Sequence, residues 1–131
     1  MPEKPVSDVL CEFLSCLRMA EDSLRMAEDE MDRTNSETQD ILHRLELYDD
    51  RYHTVAALGR KMREVRRRRR VAKETVELLT PLIEWADENK KFLTGLQKVL
   101  GDLRKIERRQ EGRTYMPRTD ILEEVDHERV S

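Results

Sequence analysis

The chain has 131 residues, a net charge of −3, charged side chains at 40% of positions and aromatic ones at only 5%. That is one domain's length, in a mixture rich in Ala, Glu, Lys, Leu and Arg that marks long helices and coiled coils. A 37% apolar share fills a narrow seam but leaves little for a concave apolar pocket, which argues against an enzyme, and no run approaches the ~20 apolar residues of a membrane span.

Pro2 and Pro5 keep the first residues extended, and Ser7 suits the N-cap position of a helix. From Leu10 a heptad pattern follows. Leu10, Leu17, Leu24, Met31, Thr38 and Leu45 form one line, and Phe13, Ala20, Ala27, Thr34, Ile41 and Tyr48 form the second. Such 3-4 spacing predicts one long helix over 7–48 with a coiled-coil seam, roughly 60 Å long at ~1.5 Å per residue. The hexapeptide LRMAED stands twice, at 17–22 and 24–29, one heptad apart. Thr34 and Thr38 weaken the middle of the seam, and Ser36-Glu37-Thr38-Gln39 has the form of a capping box. The register runs straight through it, which favours an unbroken helix.

Asp49 and Asp50 end that helix. The next is expected over 52–87, with Val55, Met62, Arg69, Val76 and Ile83 in one line and Leu58, Val65, Ala72, Leu79 and Ala86 in the other. Pro81 is either a kink inside this helix or the first position of a new one capped by Thr80. The polar window 87–91 is the better turn. A third helix is expected over 89–112, where Phe92, Leu93, Leu96, Val99, Leu100, Leu103 and Ile106 form a wide apolar stripe. The fold is therefore expected to be all-α: an antiparallel bundle or elongated coiled coil of about three helices over 1–113. Residues 114–131 read as an extended or partly disordered tail with a short helix near 121–125, and the exposed ends of the long helix favour a homodimer.

Charge is strongly segregated along this pattern. Residues 7–50 carry 13 acidic and 4 basic side chains, a net of −9, whereas residues 52–80 carry 9 basic and 3 acidic, a net of +6. Asymmetry of this kind marks interaction proteins, or helices of opposite charge that pack together. Its centre is a run of five arginines, Arg66 to Arg70. Five consecutive helical residues turn through ~400°, so they cannot share one face. Arg69 falls on the seam, where it would be costly unless paired with a carboxylate. Arg60, Lys61, Arg63, Arg66, Arg67, Arg68, Arg70 and Lys73 are the candidate binding residues, toward nucleic-acid phosphates, an acidic protein surface or the first helix. With Tyr52 the only nearby aromatic, no base-stacking platform is apparent. The converse candidate is the acidic face of the first helix: Glu21, Asp22, Glu28, Asp29, Glu30 and Asp32, continued by Glu37 and Asp40. These could mimic nucleic acid toward a basic protein channel, or form an ordinary solvated face with Glu21–Arg25, Asp29–Arg33 and Asp40–Arg44 as i,i+4 pairs.

No catalytic constellation accompanies these features. His43, His53 and His127 lack ligand spacing, and Glu46-Leu47-Tyr48-Asp49 supplies only half of a paired-carboxylate metal motif. A Glu-x-x-His motif of a di-iron bundle is absent, and Gly59, Gly95, Gly101 and Gly112 form no phosphate loop. No cofactor is expected. Cys11 and Cys16 point apart on a helix and suit a reducing cytosol.

The phrases QDILHRLEL, the following YH, REVRRRRRVAK, PLIEWADENKK, LGDLRKIERR and TYMPR together resemble small, highly charged helical proteins of phages and prophages of Gram-positive gut bacteria. The resemblance spans residues 39–118 and has no catalytic motif, so no functional residue carries over. It implies a setting in the bacterial host cytoplasm. Small phage proteins of this kind often act by binding host machinery, CRISPR nucleases included, or by serving phage nucleic-acid metabolism. The first expectation is thus a non-enzymatic accessory protein that binds a macromolecular partner electrostatically, as an inhibitor of a CRISPR-type defence nuclease. A nucleic-acid-binding protein using Arg60–Lys73 is the alternative, and a structural oligomerisation module the second alternative.

Overall fold

The computed structural model describes residues 4–113, which form three helices: α1 Val6–Leu47, α2 Tyr52–Glu88 and α3 Lys90–Glu111. The fold is an all-α helical bundle in which α1 packs against both other helices. The tail and its expected short helix lie outside the described residues. No described helix is long and apolar enough to cross a membrane.

α1 and α2 form an antiparallel pair. Its buried apolar core is thin: Leu14, Leu17, Ala20, Ala27 and Ile41 of α1, and Val65 and Ala72 of α2. Both heptad lines of α2 point inward from Leu58 to Ala86, so each is buried or half-buried. Thr34 is fully buried at the middle of α1, and its hydroxyl donates to the carbonyls of Glu30 at 2.8 Å and Met31 at 3.0 Å. A threonine satisfied within its own helix can sit in an apolar seam without an unpaired group. The register therefore passes through this point unbroken, and no second helix starts at Ser36.

The ends of the seam depart from the heptad pattern. Phe13, Leu45, Tyr48 and Val55 are exposed, while Leu14 and Ser7 are buried in their stead. The cause is the position of α3. It lies against the first turns of α1 and shifts the covered face toward Leu14; at the opposite end of the pair no third helix among the described residues covers Leu45, Tyr48 or Val55.

Ser7 is not the N-cap. α1 begins at Val6, and Pro5 in the cap position offers no side-chain bond. A remote carboxylate fills the role: Glu107 of α3 accepts a bond from the Ser7 N–H at 3.2 Å and another from the Ser7 hydroxyl. An anion at a helix N-terminus satisfies an orphan N–H and opposes the positive end of the macrodipole. This contact fixes where α3 ends.

Pro81 lies inside α2, so the helix continues past it to Glu88. The break comes at Asn89 alone, whose side chain donates to the Trp85 carbonyl at 2.8 Å. One residue is too short for a hairpin, and α3 does not fold back along α2. Leu93 and Gln97 share a hollow with Leu17 and Glu21, and Glu107 reaches Ser7. α3 thus runs toward the start of α1 in the same sense as α2. Its stripe meets mainly one neighbour, and none of its residues is fully buried. At the other turn, Arg44 grips Asp50 with two bonds of 2.8 and 2.9 Å and lies 4.6 Å from the Tyr48 ring centre.

Candidate functional site

The arginine run divides by its position on the helix. Val65 and Ala72 aim α2 at α1, so the residues flanking that line reach across the pair. Arg68 lies on one flank and bridges two carboxylates of α1: its Nε donates to Glu30 at 2.7 Å, and a terminal nitrogen donates to Glu37 at 2.9 Å. Arg69, half-buried on the seam, donates to the side-chain oxygen of Asn35 at 2.9 Å. An amide therefore satisfies Arg69, where a carboxylate was the expected partner. The Arg68 bond holds the Glu30 carboxyl below its ordinary range, and Glu30 with Glu37 raises the guanidinium further.

The remaining cations face away from α1. At 100° per residue, Arg60, Arg63, Arg66, Arg67, Arg70 and Lys73 fall within roughly 140° of the circumference of α2, along ~20 Å of its length. All six are exposed, and among the described residues none makes an ion pair. Lys61 stands apart, 3.6 Å from Glu64. The stripe ends where Glu74 and Glu77 appear. Among the described residues the exposed aromatics lie beyond its ends, Tyr48 and Tyr52 on one side and Phe13, Trp85 and Phe92 on the other.

The acidic candidates also divide. Glu30 is drawn inward to Arg68, while Glu21, Asp22, Glu28, Asp29 and Asp32 stay exposed. Arg25 lies 3.7 Å from Glu21 and 3.8 Å from Asp22, which partly neutralises that end. Of the three expected i,i+4 pairs only Glu21–Arg25 forms. Arg33 turns to Glu30 at 3.3 Å, and Arg44 is taken by Asp50. Exposed pairs of this kind contribute little stability.

Between α1 and α2, on the flank opposite α3, run two joined apolar hollows that meet at Ser23. One, about 520 Å³, is lined by Met26, Ala27, Val71, Ala72 and Thr75; the other, about 470 Å³, by Cys16, Met19, Ala20 and Leu79. The heptad seam does not reveal this groove. Its signal on α1 is a separate i,i+7 line through Met19 and Met26, met on α2 by Val71, Thr75 and Leu79; Leu78 and Trp85 continue the Val71 line along α2 beyond the groove. Among the described residues no group of three or more His, Cys, Asp or Glu side chains is arranged to hold a metal ion.

A scan against protein-family models, a search of curated proteins and a search of solved structures each found no match.

Proposed function

We propose that this chain is a non-enzymatic binding protein whose α2 stripe lies along the phosphate backbone of a nucleic acid. The observation that carries this reading is the division of the basic run. Arg68 and Arg69 are used up within the fold, while six neighbours stand exposed on one side without a carboxylate partner among the described residues. Burying those cations uselessly would cost the fold, and displaying them in a row suits a regularly charged polymer. Each phosphate neutralised releases counterions, so affinity rises with the number of cations engaged. With no aromatic inside the stripe, the contact reads charge and shape and not base sequence.

The variants that test this separate the two kinds of arginine. Arg66→Ala/Arg67→Ala/Arg70→Ala is expected to lower affinity for a labelled DNA or RNA oligonucleotide at least tenfold in fluorescence anisotropy, with unchanged melting. Arg68→Ala is expected to do the reverse, lowering the melting temperature while most of the affinity survives. Wild-type affinity in the triple variant would overturn the proposal.

A second reading rests on Glu28, Asp29 and Asp32, the exposed part of the acidic face that Arg25 leaves uncompensated. That surface suits a protein with a basic channel, such as a CRISPR-type defence nuclease in a phage setting. It ranks below the first reading because, among the described residues, the acidic face is partly neutralised and the basic stripe is not. Charge reversal at these three residues tests it, since binding to such a nuclease should be lost while helicity survives.

A further inference from the structure

The apolar groove beside Ser23 has no partner within the described chain. Met19 and Met26 are each 69% exposed, Val71 64%, Leu78 75%, Trp85 40% and Phe92 57%. Trp85 and Phe92 touch edge to face, with ring centres 6.3 Å apart, and continue the line past the Asn89 break. At ~200 Å² for a large side chain, these six expose roughly 700–800 Å². A stable interface of standard size takes about 800 Å² from each partner. Isolated exposed hydrophobic residues need no explanation, but here Met19, Met26 and Val71 line one groove, and Leu78, Trp85 and Phe92 extend the exposed apolar line beyond it on α2 and α3.

The heptad spacing of the strip says what shape would cover it. Met19 and Met26 lie one heptad apart, as do Val71, Leu78 and Trp85, so the complement is another helix pair with the same repeat. The flanking charges say which one. The heptad line through the methionines reads Glu12, Met19, Met26, Arg33, with Glu12 lining one end of the groove and Arg33 and Arg67 the other. Reversed, this line complements itself. A two-fold axis near Ser23 would set Met19 against Met26 of a second copy and Glu12 against its Arg33. Isologous interfaces require this kind of self-complementarity.

We propose that the chain forms a homodimer through this face, with α1 packed antiparallel on α1 of the second copy about Ser23. Four helices from two thin hairpins then share one core. In the single chain Glu12 is held by Lys4 at 2.6 Å and Arg33 by Glu30 at 3.3 Å. Both are exposed pairs, so exchanging them across the interface sets orientation more than affinity. Apart from Arg67, whose side chain lines the end of the groove, the cationic stripe of α2 lies outside this face, so the proposal shares only that one residue with whatever the stripe binds.

Sedimentation equilibrium on the full chain tests this. The wild type is expected to be a dimer, and Met19→Glu/Met26→Glu a monomer with unchanged helical circular dichroism. Both sites are exposed, so the variant should fold. In a Cys11→Ser/Cys16→Ser background, Ser23→Cys should form an intermolecular disulfide on mild oxidation, and Ser36→Cys should not. Glu12→Arg should weaken the dimer and Glu12→Arg/Arg33→Glu restore it. A monomeric wild type, a dimer untouched by the methionine changes, or equal cross-linking at 23 and 36 would each overturn the proposal.

Discussion

Truncating Val65 to alanine tests the core most severely. Val65 is 0% exposed and faces α1 from the centre of α2, in a core whose other α2 member is Ala72. The substitution removes two carbon groups, a transfer loss of ~1.6 kcal/mol at ~0.8 kcal/mol each. A residual void of ~40 Å³ adds ~1 kcal/mol at ~24 cal/mol per Å³. The expected cost is about 2–3 kcal/mol, or a melting temperature lower by ~8–15 °C for a chain of this size. The control is Val55→Ala. Val55 occupies an equivalent seam position in the heptad reading, yet it is 44% exposed, so its truncation should cost less than ~0.5 kcal/mol. Urea titration followed by circular dichroism measures both. Equal losses at the two sites would refute the placement of the core, because a uniform heptad seam would then describe the molecule better than the structure does.

Three further outcomes follow from the contacts. Glu30 has a carboxyl pKa below its reference of 4.5, chiefly through the Arg68 hydrogen bond. A depressed carboxylate contributes stability that is present above its unfolded pKa and lost as pH falls through the folded one. Melting temperature should therefore fall on acidification below about 4.5, and less steeply in Glu30→Gln, as a pH series of thermal melts would show. Ser7→Ala removes the hydroxyl bond to Glu107, and Glu107→Ala removes the cap altogether. Hydrogen exchange should then speed up in α3 and the first turn of α1 but not at Val65; an unchanged α3 would contradict the latch. Thr34→Val deletes a hydroxyl bonded only within its own helix, so unfolding free energy should change by less than ~1 kcal/mol.

Much of this architecture is legible in the sequence because a heptad repeat encodes both helicity and the buried face. The two lines of α2 identify its inward residues from Leu58 to Ala86, and the three helices begin and end within about one residue of expectation. What the repeat does not encode is where a third helix lies. That is why Phe13 and Leu14 exchange roles, and why a carboxylate 100 positions away caps α1. The polar window after Ala86 reads as a hairpin turn, yet only Asn89 leaves the helical path, and α3 continues onward. At the basic face, the seam shows that Arg69 needs a partner. It cannot say that Arg68 reaches Glu30 and Glu37 or that Arg69 takes the Asn35 amide, because side-chain reach between helices depends on their relative rotation. The groove is harder still to read, since it arises from two lines that appear solvent-facing on each helix taken alone.

In the function proposed above, the six exposed cations of α2 bind phosphates. Its most direct test is the affinity of the full wild-type chain for a labelled duplex of ~20–30 base pairs between about 50 and about 200 mM salt. Binding should weaken linearly on a log–log plot, with a slope approaching about −5 if all six cations engage, at ~0.9 per phosphate. No detectable binding at the lowest salt, or an affinity indifferent to salt, would contradict it.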